Sequence, residues 1–164
     1  MSTPPGRLSV GLGFDAHDFA PGRRLVLGGV EVEHDQGLAG HSDADAVLHA
    51  LADAVLGACG LPDIGTLFPD TDARYRDADS AMLLGRVLAR ARDAGCRPVN
   101  ADLVVVCDAP KLTRHADAIR GRVAEILDVE PARVGFKAKT CEGTSLARPG
   151  VSLACLAVVL VERQ

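Results

Sequence analysis

The stretch "GHSDADAVLHALADAVLGACG", residues 40–60, is where the apolar pattern of the chain changes period. Upstream of it, "RLSVGLGFD" (7–15) reads as a strand. "RLVLGGVEVEH" (24–34) alternates apolar residues on both sides of Gly28 and Gly29, the pattern of a tight hairpin. Within 40–60, Val47, Leu48, Leu51 and Val55 recur at helical spacing. Ser42, with Asp45 three residues later, resembles a helix start, and Gly57 or Gly60 supplies the stop. Downstream the signals keep alternating. "DSAMLLGRVLARARDAG" (79–95) predicts a second helix, begun by Asp79 or Ser80 and stopped by Gly95. "ADLVVVC" (101–107) predicts a buried strand, and "HADAIRGRVAEILDV" (115–129) a third helix with Ile119, Val123, Ile126 and Leu127 inward. "ARVGFKAKT" (132–140) and "VSLACLAVVLV" (151–161) close the series as two more strands. The order β, hairpin, α, α, β, α, β, β gives the expected fold class: α/β (α+β), a mixed sheet with a β-hairpin and helices packed on one face.

At 164 residues and 48% hydrophobic content the chain can bury one core, so a single domain over 1–164 is expected, with 1–7 as a flexible tail. A net charge of −4 with dispersed basic residues leaves no electrostatic footprint of a nucleic-acid binder. Of the eighteen basic residues only Lys111, Lys137 and Lys139 are lysines. The five cysteines show no CxxC spacing, and an odd number argues against a closed disulfide framework, so a reducing cytoplasm is expected. "MSTPPGRLSV" lacks the apolar core of a signal peptide. The longest apolar run, 151–161, is well short of the ~18 residues of a membrane-spanning helix, so no membrane association is expected.

The candidate chemistry starts in "GFDAHDF" (13–19). Side chains two apart on a strand share a face, so Asp15 and His17 can aim at one point. The following helix offers His49 as a third ligand, and also Asp45 one helical turn before it. Two imidazoles and a carboxylate, with a position open to water or substrate, suit catalytic zinc; the same set suits non-haem iron. Taken singly, the strand pair also reads as an ordinary strand end and His49 as a helix-border polar residue. The combination points to a metal.

Several stretches occur together: "GFDAHDF", "LGGVEV", "AGHSDADAVLHALADAVLGACGLPDIGTLFPDTD", "DADS" and "APKL". On these the chain resembles the 2-C-methyl-D-erythritol 2,4-cyclodiphosphate synthase family of the non-mevalonate isoprenoid pathway, from about residue 8 to the last strand. The resemblance implies a homotrimer with active sites between subunits and a cytidine diphosphate substrate. It implies zinc, or another divalent transition metal, on Asp15, His17 and His49, and Mg2+ or Mn2+ bound with the substrate diphosphate, with Glu142 as the acid for that second cation. His41 and Thr140 take the positions that support the transition state, and Ser42 combines an N-cap role with a substrate contact. In "DIGTLFPDTD" (63–72), otherwise a proline-containing turn, Asp63 is the implied hydroxyl acceptor. Ile64, Gly65, Phe68, Pro69, Asp70, Thr71 and Asp72 lie around the methylerythritol portion. In "DAPKL" (108–112), otherwise a helix start with Pro in the first turn, Ala109, Pro110 and Leu112 would surround the cytosine and Lys111 the phosphate.

The chain departs from the family pattern in "KAKTCEGTSLARPGVSL" (137–153). Lys139 and Cys141 stand where threonines are usual, and the usual aromatic and the Gly-Arg-Gly-Glu-Gly segment are missing. Lys139 would replace a hydroxyl contact by a charge, Leu146 supplies apolar area without an aromatic face, and Arg148 falls one position off the family's arginine. Two other readings stand beside the cyclase: another two-histidine, one-carboxylate metal enzyme on the same scaffold, and a non-catalytic trimeric cytidine-diphosphate-binding protein.

Overall fold

The computed structural model describes residues 7–142 and 152–163. The chain forms strands β1 (Arg7–Pro21), β2 (Leu25–Leu27), β3 (Val30–Val32) and β4 (Gln36–Leu38), then helices α1 (Ala46–Cys59), α2 (Ile64–Leu67) and α3 (Ser80–Asp93). Strand β5 (Cys96–Val106), helix α4 (Ala116–Leu127) and strands β6 (Val134–Lys139) and β7 (Ser152–Arg163) complete it. Five strands form one mixed sheet in the order β4-β1-β7-β5-β6, antiparallel except for the parallel β5–β6 pair; β2 and β3 form a separate hairpin. The helices cover one face, as the pattern predicted. Arg7 already pairs with Arg163, so the strand begins inside the expected tail 1–7.

Strand β1 decides how the layers meet. Its odd positions Gly11, Gly13, Asp15 and His17 turn toward α1, while Leu8, Val10, Leu12 and Phe14 turn to the opposite face, where each is more than half exposed. A Cβ added at Gly11 would lie 1.9 Å from the Ala54 carbonyl oxygen, and one at Gly13 1.8 Å from that of Ala50. Glycine at both positions therefore lets the α1 backbone rest directly on the strand. On the helix side Ala50, Ala54 and Ala58 are buried, small enough for this approach.

The start of α1 differs from the expectation. Asp45, not Ser42, is the N-cap: its Oδ1 accepts from the Val47 and Leu48 N–H groups at 3.1 and 3.0 Å. The same carboxylate accepts from Gly28 at 2.8 Å and Gly29 at 2.7 Å, the two left-handed residues of the β2–β3 turn. A carboxylate with two oxygens satisfies helix and hairpin together, which one serine hydroxyl does not. Ser42 lies in the preceding loop, its Oγ accepting from Ala44 N–H at 3.1 Å. Gly60, left-handed, ends the helix, and Gly57 lies inside it.

Asp79 caps α3, and Ile119, Val123 and Leu127 of α4 are buried with Ile126 half-buried against them. The segment after Asp63 is not wholly a turn: Asp63 caps the single helical turn α2. Pro110 does not open a helix. The 3-10 turn that precedes α4 starts at Leu112, after Lys111, which makes no side-chain cap bond. Strand β4 is only three residues long, and the first residues of β5 contain Pro98 at a register shift; neither carries a period-two signal.

Burial pushes the Asp45 carboxyl up to about 6 against the pull of the Gly29, Gly28 and Leu48 N–H groups. A raised folded-state value means the associated stability is complete below the ordinary carboxylate range and is lost as pH rises through about 6. Asp45→Ala is expected to lower the unfolding free energy at pH 7 by about 2–4 kcal/mol, from the lost cap and the stranded hairpin donors. In urea titrations the gap between wild type and variant should widen from pH 7 to pH 4. Gly13→Ala should cost at least about 1–3 kcal/mol, because backbone and not a flexible side chain blocks the new methyl.

Candidate metal centre

Asp15 and His17 lie just past the middle of β1 on its helix-facing side, and His49 is four residues past the Asp45 cap, one turn into α1. One ligand atom from each of the three lies within 4.8 Å of the others. Nε2 of His17 is 2.8 Å and Nδ1 of His49 is 3.1 Å from the same oxygen, Asp15 Oδ2.

His17 Nδ1 is 2.6 Å from the Ala39 carbonyl, which can only accept, so Nδ1–H donates there. His49 Nε2 is 2.9 Å from Ser80 Oγ, whose own hydrogen goes to Asp43 in a short contact. Nε2–H of His49 therefore donates to Ser80. In their neutral forms both rings then turn a lone pair toward one carboxylate oxygen. Three acceptors facing one point require cations among them, either protons or a metal ion, so the donor set fits a divalent transition metal. Burial alone would push the Asp15 carboxyl up, but hydrogen bonds and charge from His17 and His49 outweigh it and hold it at about 2. Burial alone would push His17 down, but the Asp15 hydrogen bond and charge outweigh it, and its value is raised.

Beside the cluster opens a cavity of about 300 Å³. Its walls include His17, His41, Ser42 and His49 together with Ile64, Gly65, Phe68 and Asp70, all expected site residues. His41 Nε2 lies 3.4 Å from the Asp72 carbonyl oxygen. Asp45, the alternative ligand, is fully buried and committed to the hairpin. Asp63 is exposed, with Oδ1 accepting from Thr66 N–H at 2.7 Å. The Asp72 carboxylate is turned to Arg74, and Pro69 and Thr71 are not among the cavity-lining residues.

The remaining expected residues that are described form a second cluster. Cys107 N–H donates to the Lys139 carbonyl at 2.8 Å, and Cys141 N–H to Asp108 Oδ1 at 2.8 Å, which ties Ala109, Pro110, Lys111 and Leu112 to the segment 139–142. Thr140 Oγ1 donates to Glu142 in a short contact. The strand register places Ala16, Ala154, Val106 and Lys139 in one row across β1, β7, β5 and β6. Three strand spacings separate the row's ends, so the two clusters share one end of the sheet about 14 Å apart. The expected Leu146 and Arg148 lie outside the described residues. Burial raises the Cys107 thiol to about 11 and also raises Cys141, so neither is an activated nucleophile.

Sequence reasoning gave no site role to Asp53, Ser80 or Tyr75. Asp53 follows Asp45 and His49 at the same four-residue step and accepts from Ile64 N–H at 2.8 Å, fastening α2 beside the cavity. Ser80 stands in the quoted "DADS", and Tyr75 sits edge-on to Phe68 in the cavity wall. Spacing made Asp53 findable; the other two depend on tertiary contact.

Fold and site together define a mixed-sheet α/β domain with a three-residue site able to hold a metal, beside an open cavity. Residues 8–162 match the YgbB family, and the chain belongs to it. It is 48% identical over 154 residues to a 2-C-methyl-D-erythritol 2,4-cyclodiphosphate synthase from Moorella thermoacetica, covering 94% of each chain. Among solved structures it matches a synthase of that name in a CDP-bound form, at TM-score 0.85 and 38% identity, covering 93% of this chain and 99% of that one. It also matches the bifunctional IspDF from Campylobacter jejuni at TM-score 0.90 and 37% identity. That match covers 98% of this chain but spans only 44% of the longer protein.

The paired site predicts a pH optimum for stability after chelation. Asp15, depressed, contributes above the ordinary carboxylate range and loses that contribution as pH falls toward about 2. His17, raised, contributes below 6.5 and loses that contribution as pH rises through its folded value. Thermal melts of the metal-free protein should peak near pH 5 for these groups, and Asp15→Asn should flatten the profile.

Proposed function

We propose that the protein converts 4-diphosphocytidyl-2-C-methyl-D-erythritol 2-phosphate into 2-C-methyl-D-erythritol 2,4-cyclodiphosphate with release of CMP, a phosphorus–oxygen lyase reaction. The observation that carries this reading is the convergence of Asp15, His17 and His49 beside the cavity, in a chain nearly half identical to relatives of that name. An oxygen of the 2-phosphate attacks the β-phosphorus, the bond from that phosphorus to the bridging oxygen breaks, and CMP leaves with the electron pair. No water is consumed.

Two anionic groups of one molecule must be brought together, so positioning and positive charge are the requirements. Asp15, His17 and His49 would hold a zinc ion, and Glu142 a magnesium or manganese ion; when bound, the two ions supply Lewis acidity and charge neutralisation at the diphosphate. His41 and Ser42 face the cavity, where they can donate hydrogen bonds to phosphate oxygens. Asp63, within the 63–72 segment, would accept from the methylerythritol hydroxyls. Ala109, Pro110 and Leu112 would enclose the cytosine, while Lys111, Lys139 and Thr140 meet the phosphates. The five cysteines are buried and form no disulfide among the described residues, which suits a reducing cytoplasm.

A homotrimer would complete the site. The two clusters stand about 14 Å apart in one chain, so one substrate would lie between the metal cluster of one subunit and the nucleotide segment of the next. The uncovered sheet face supports this: Val10 and Leu12 are each 66% exposed and Phe14 51%, an apolar strip that a second copy would cover. Among the described residues no helix is long and apolar enough to cross a membrane.

Phosphorus NMR of the protein with the substrate, zinc and magnesium should show the cyclic diphosphate and CMP, and His49→Ala should abolish both. Tight CDP binding without product would favour the non-catalytic reading, and iron content with oxygen consumption the alternative metal enzyme. Light scattering should give three times the chain mass. Phe14→Glu should reduce that mass and remove turnover together, because the two halves of the site then separate.

A further inference from the structure

We infer that Ser80, held by Asp43, is a positioning residue for the metal centre: it fixes the tautomer and the orientation of His49. The inference rests on reading Asp15, His17 and His49 as metal ligands. Ser80 is the first residue of α3 and only 1% exposed, yet the helix does not need its hydroxyl. Asp79 is the cap, accepting from Ala81 and Met82 N–H groups at 2.7 and 3.3 Å. The Ser80 hydroxyl is engaged elsewhere, on both sides.

On one side is Asp43. Its Oδ2 accepts from Ser80 N–H at 3.1 Å, and its Oδ1 accepts the Ser80 hydroxyl hydrogen in a short contact. Asp43 N–H in turn donates to the Ala78 carbonyl at 3.1 Å, so the loop before α1 and the start of α3 are closed into one ring. On the other side is His49 Nε2, at 2.9 Å. A hydroxyl has one hydrogen, and Asp43 takes it, so Ser80 Oγ offers His49 only a lone pair. A neutral imidazole carries one N–H. With that hydrogen drawn to Nε2, the lone pair is left on Nδ1, the nitrogen 3.1 Å from Asp15 Oδ2. Ser42 Oγ is farther from the same nitrogen, at 3.3 Å, and already accepts from Ala44. The ring is therefore aimed chiefly from α3, an element that supplies no ligand. His17 has the equivalent support from the Ala39 carbonyl, a backbone group that substitution cannot remove. Ser80 and Asp43 are the part of the supporting shell that mutation can test.

The test is zinc affinity, read by competition with a chromophoric chelator, alongside urea titration of the metal-free protein and nitrogen NMR of the His49 ring. Ser80→Ala is expected to weaken zinc binding about 10–100-fold and to lose the slowly exchanging Nε2–H signal. Asp43→Asn, which keeps the serine, should weaken binding in the same direction. The double variant should bind no more weakly than Ser80→Ala alone, since both act through one hydrogen bond. A folded Ser80→Ala with wild-type zinc affinity and an unchanged His49 signal, differing only in metal-free stability, overturns the inference. Should Ser80→Ala not fold, Asp43→Asn decides by the same two readouts. A wild-type protein that takes up no zinc, or whose zinc survives His49→Ala, overturns the metal-site reading itself and this inference with it.

Discussion

One buried carboxylate sets the geometry on which the metal centre depends. Asp45 accepts four backbone N–H groups, two from the β2–β3 turn and two from the first turn of α1. Each of those donors would otherwise be unpaired at a helix end or a buried turn, and an unpaired buried donor costs about 1–3 kcal/mol. The carboxylate thereby fixes where α1 begins and against which hairpin it rests. His49, one turn later, inherits that phase. A helix begun one residue away would swing the imidazole by roughly 100° around the axis and out of reach of Asp15.

The second coordinate, distance, is set by the glycines of β1. With no Cβ at positions 11 and 13, α1 approaches until its carbonyls sit where side-chain carbons would stand. Ordinary side chains there would lift the helix and open the gap between His49 and Asp15. The same strand therefore supplies two of the three site residues and the absence of bulk that lets the third reach them. Around them, every ring nitrogen not aimed at Asp15 has a partner, Ala39 for His17 and Ser80 for His49. A site so constrained before a metal binds gives up little side-chain freedom on binding it.

Much of this was legible in the sequence, and the parts that were not share a cause. The period-two spacing of Asp15 and His17, the Gly28–Gly29 hairpin and the helical stripe of α1 are local signals, and the structure carries each of them. Ser42 and Asp45 both fit a helix start by residue type; what selects Asp45 is the hairpin seventeen residues upstream, which no local window contains. Ser80 and Asp43 are separated by thirty-seven residues. The segments 107–112 and 139–142 are brought together by the parallel pairing of β5 and β6, a register that neither strand states alone. Strand β4 pairs three residues with the end of β1 and is too short to have a period at all.

Strand β1 also shows why binary patterning can mislead. Its even positions are leucine, valine, leucine and phenylalanine, and its odd positions in the same stretch are serine, glycine, glycine and aspartate. Read as apolar-in and polar-out, the strand would point its large side chains at the helices and its ligands at solvent. The structure has the opposite arrangement, because a glycine pair is what a closely packed helix requires and a leucine pair is what it excludes. The apolar strip left on the far face is then a second constraint on the same strand, since an uncovered row of this kind is costly in water. The proposed trimer meets it directly. Covering that face and uniting the metal cluster of one subunit with the nucleotide segment of another would be a single event, so assembly and a complete active site would arise from the two faces of one strand.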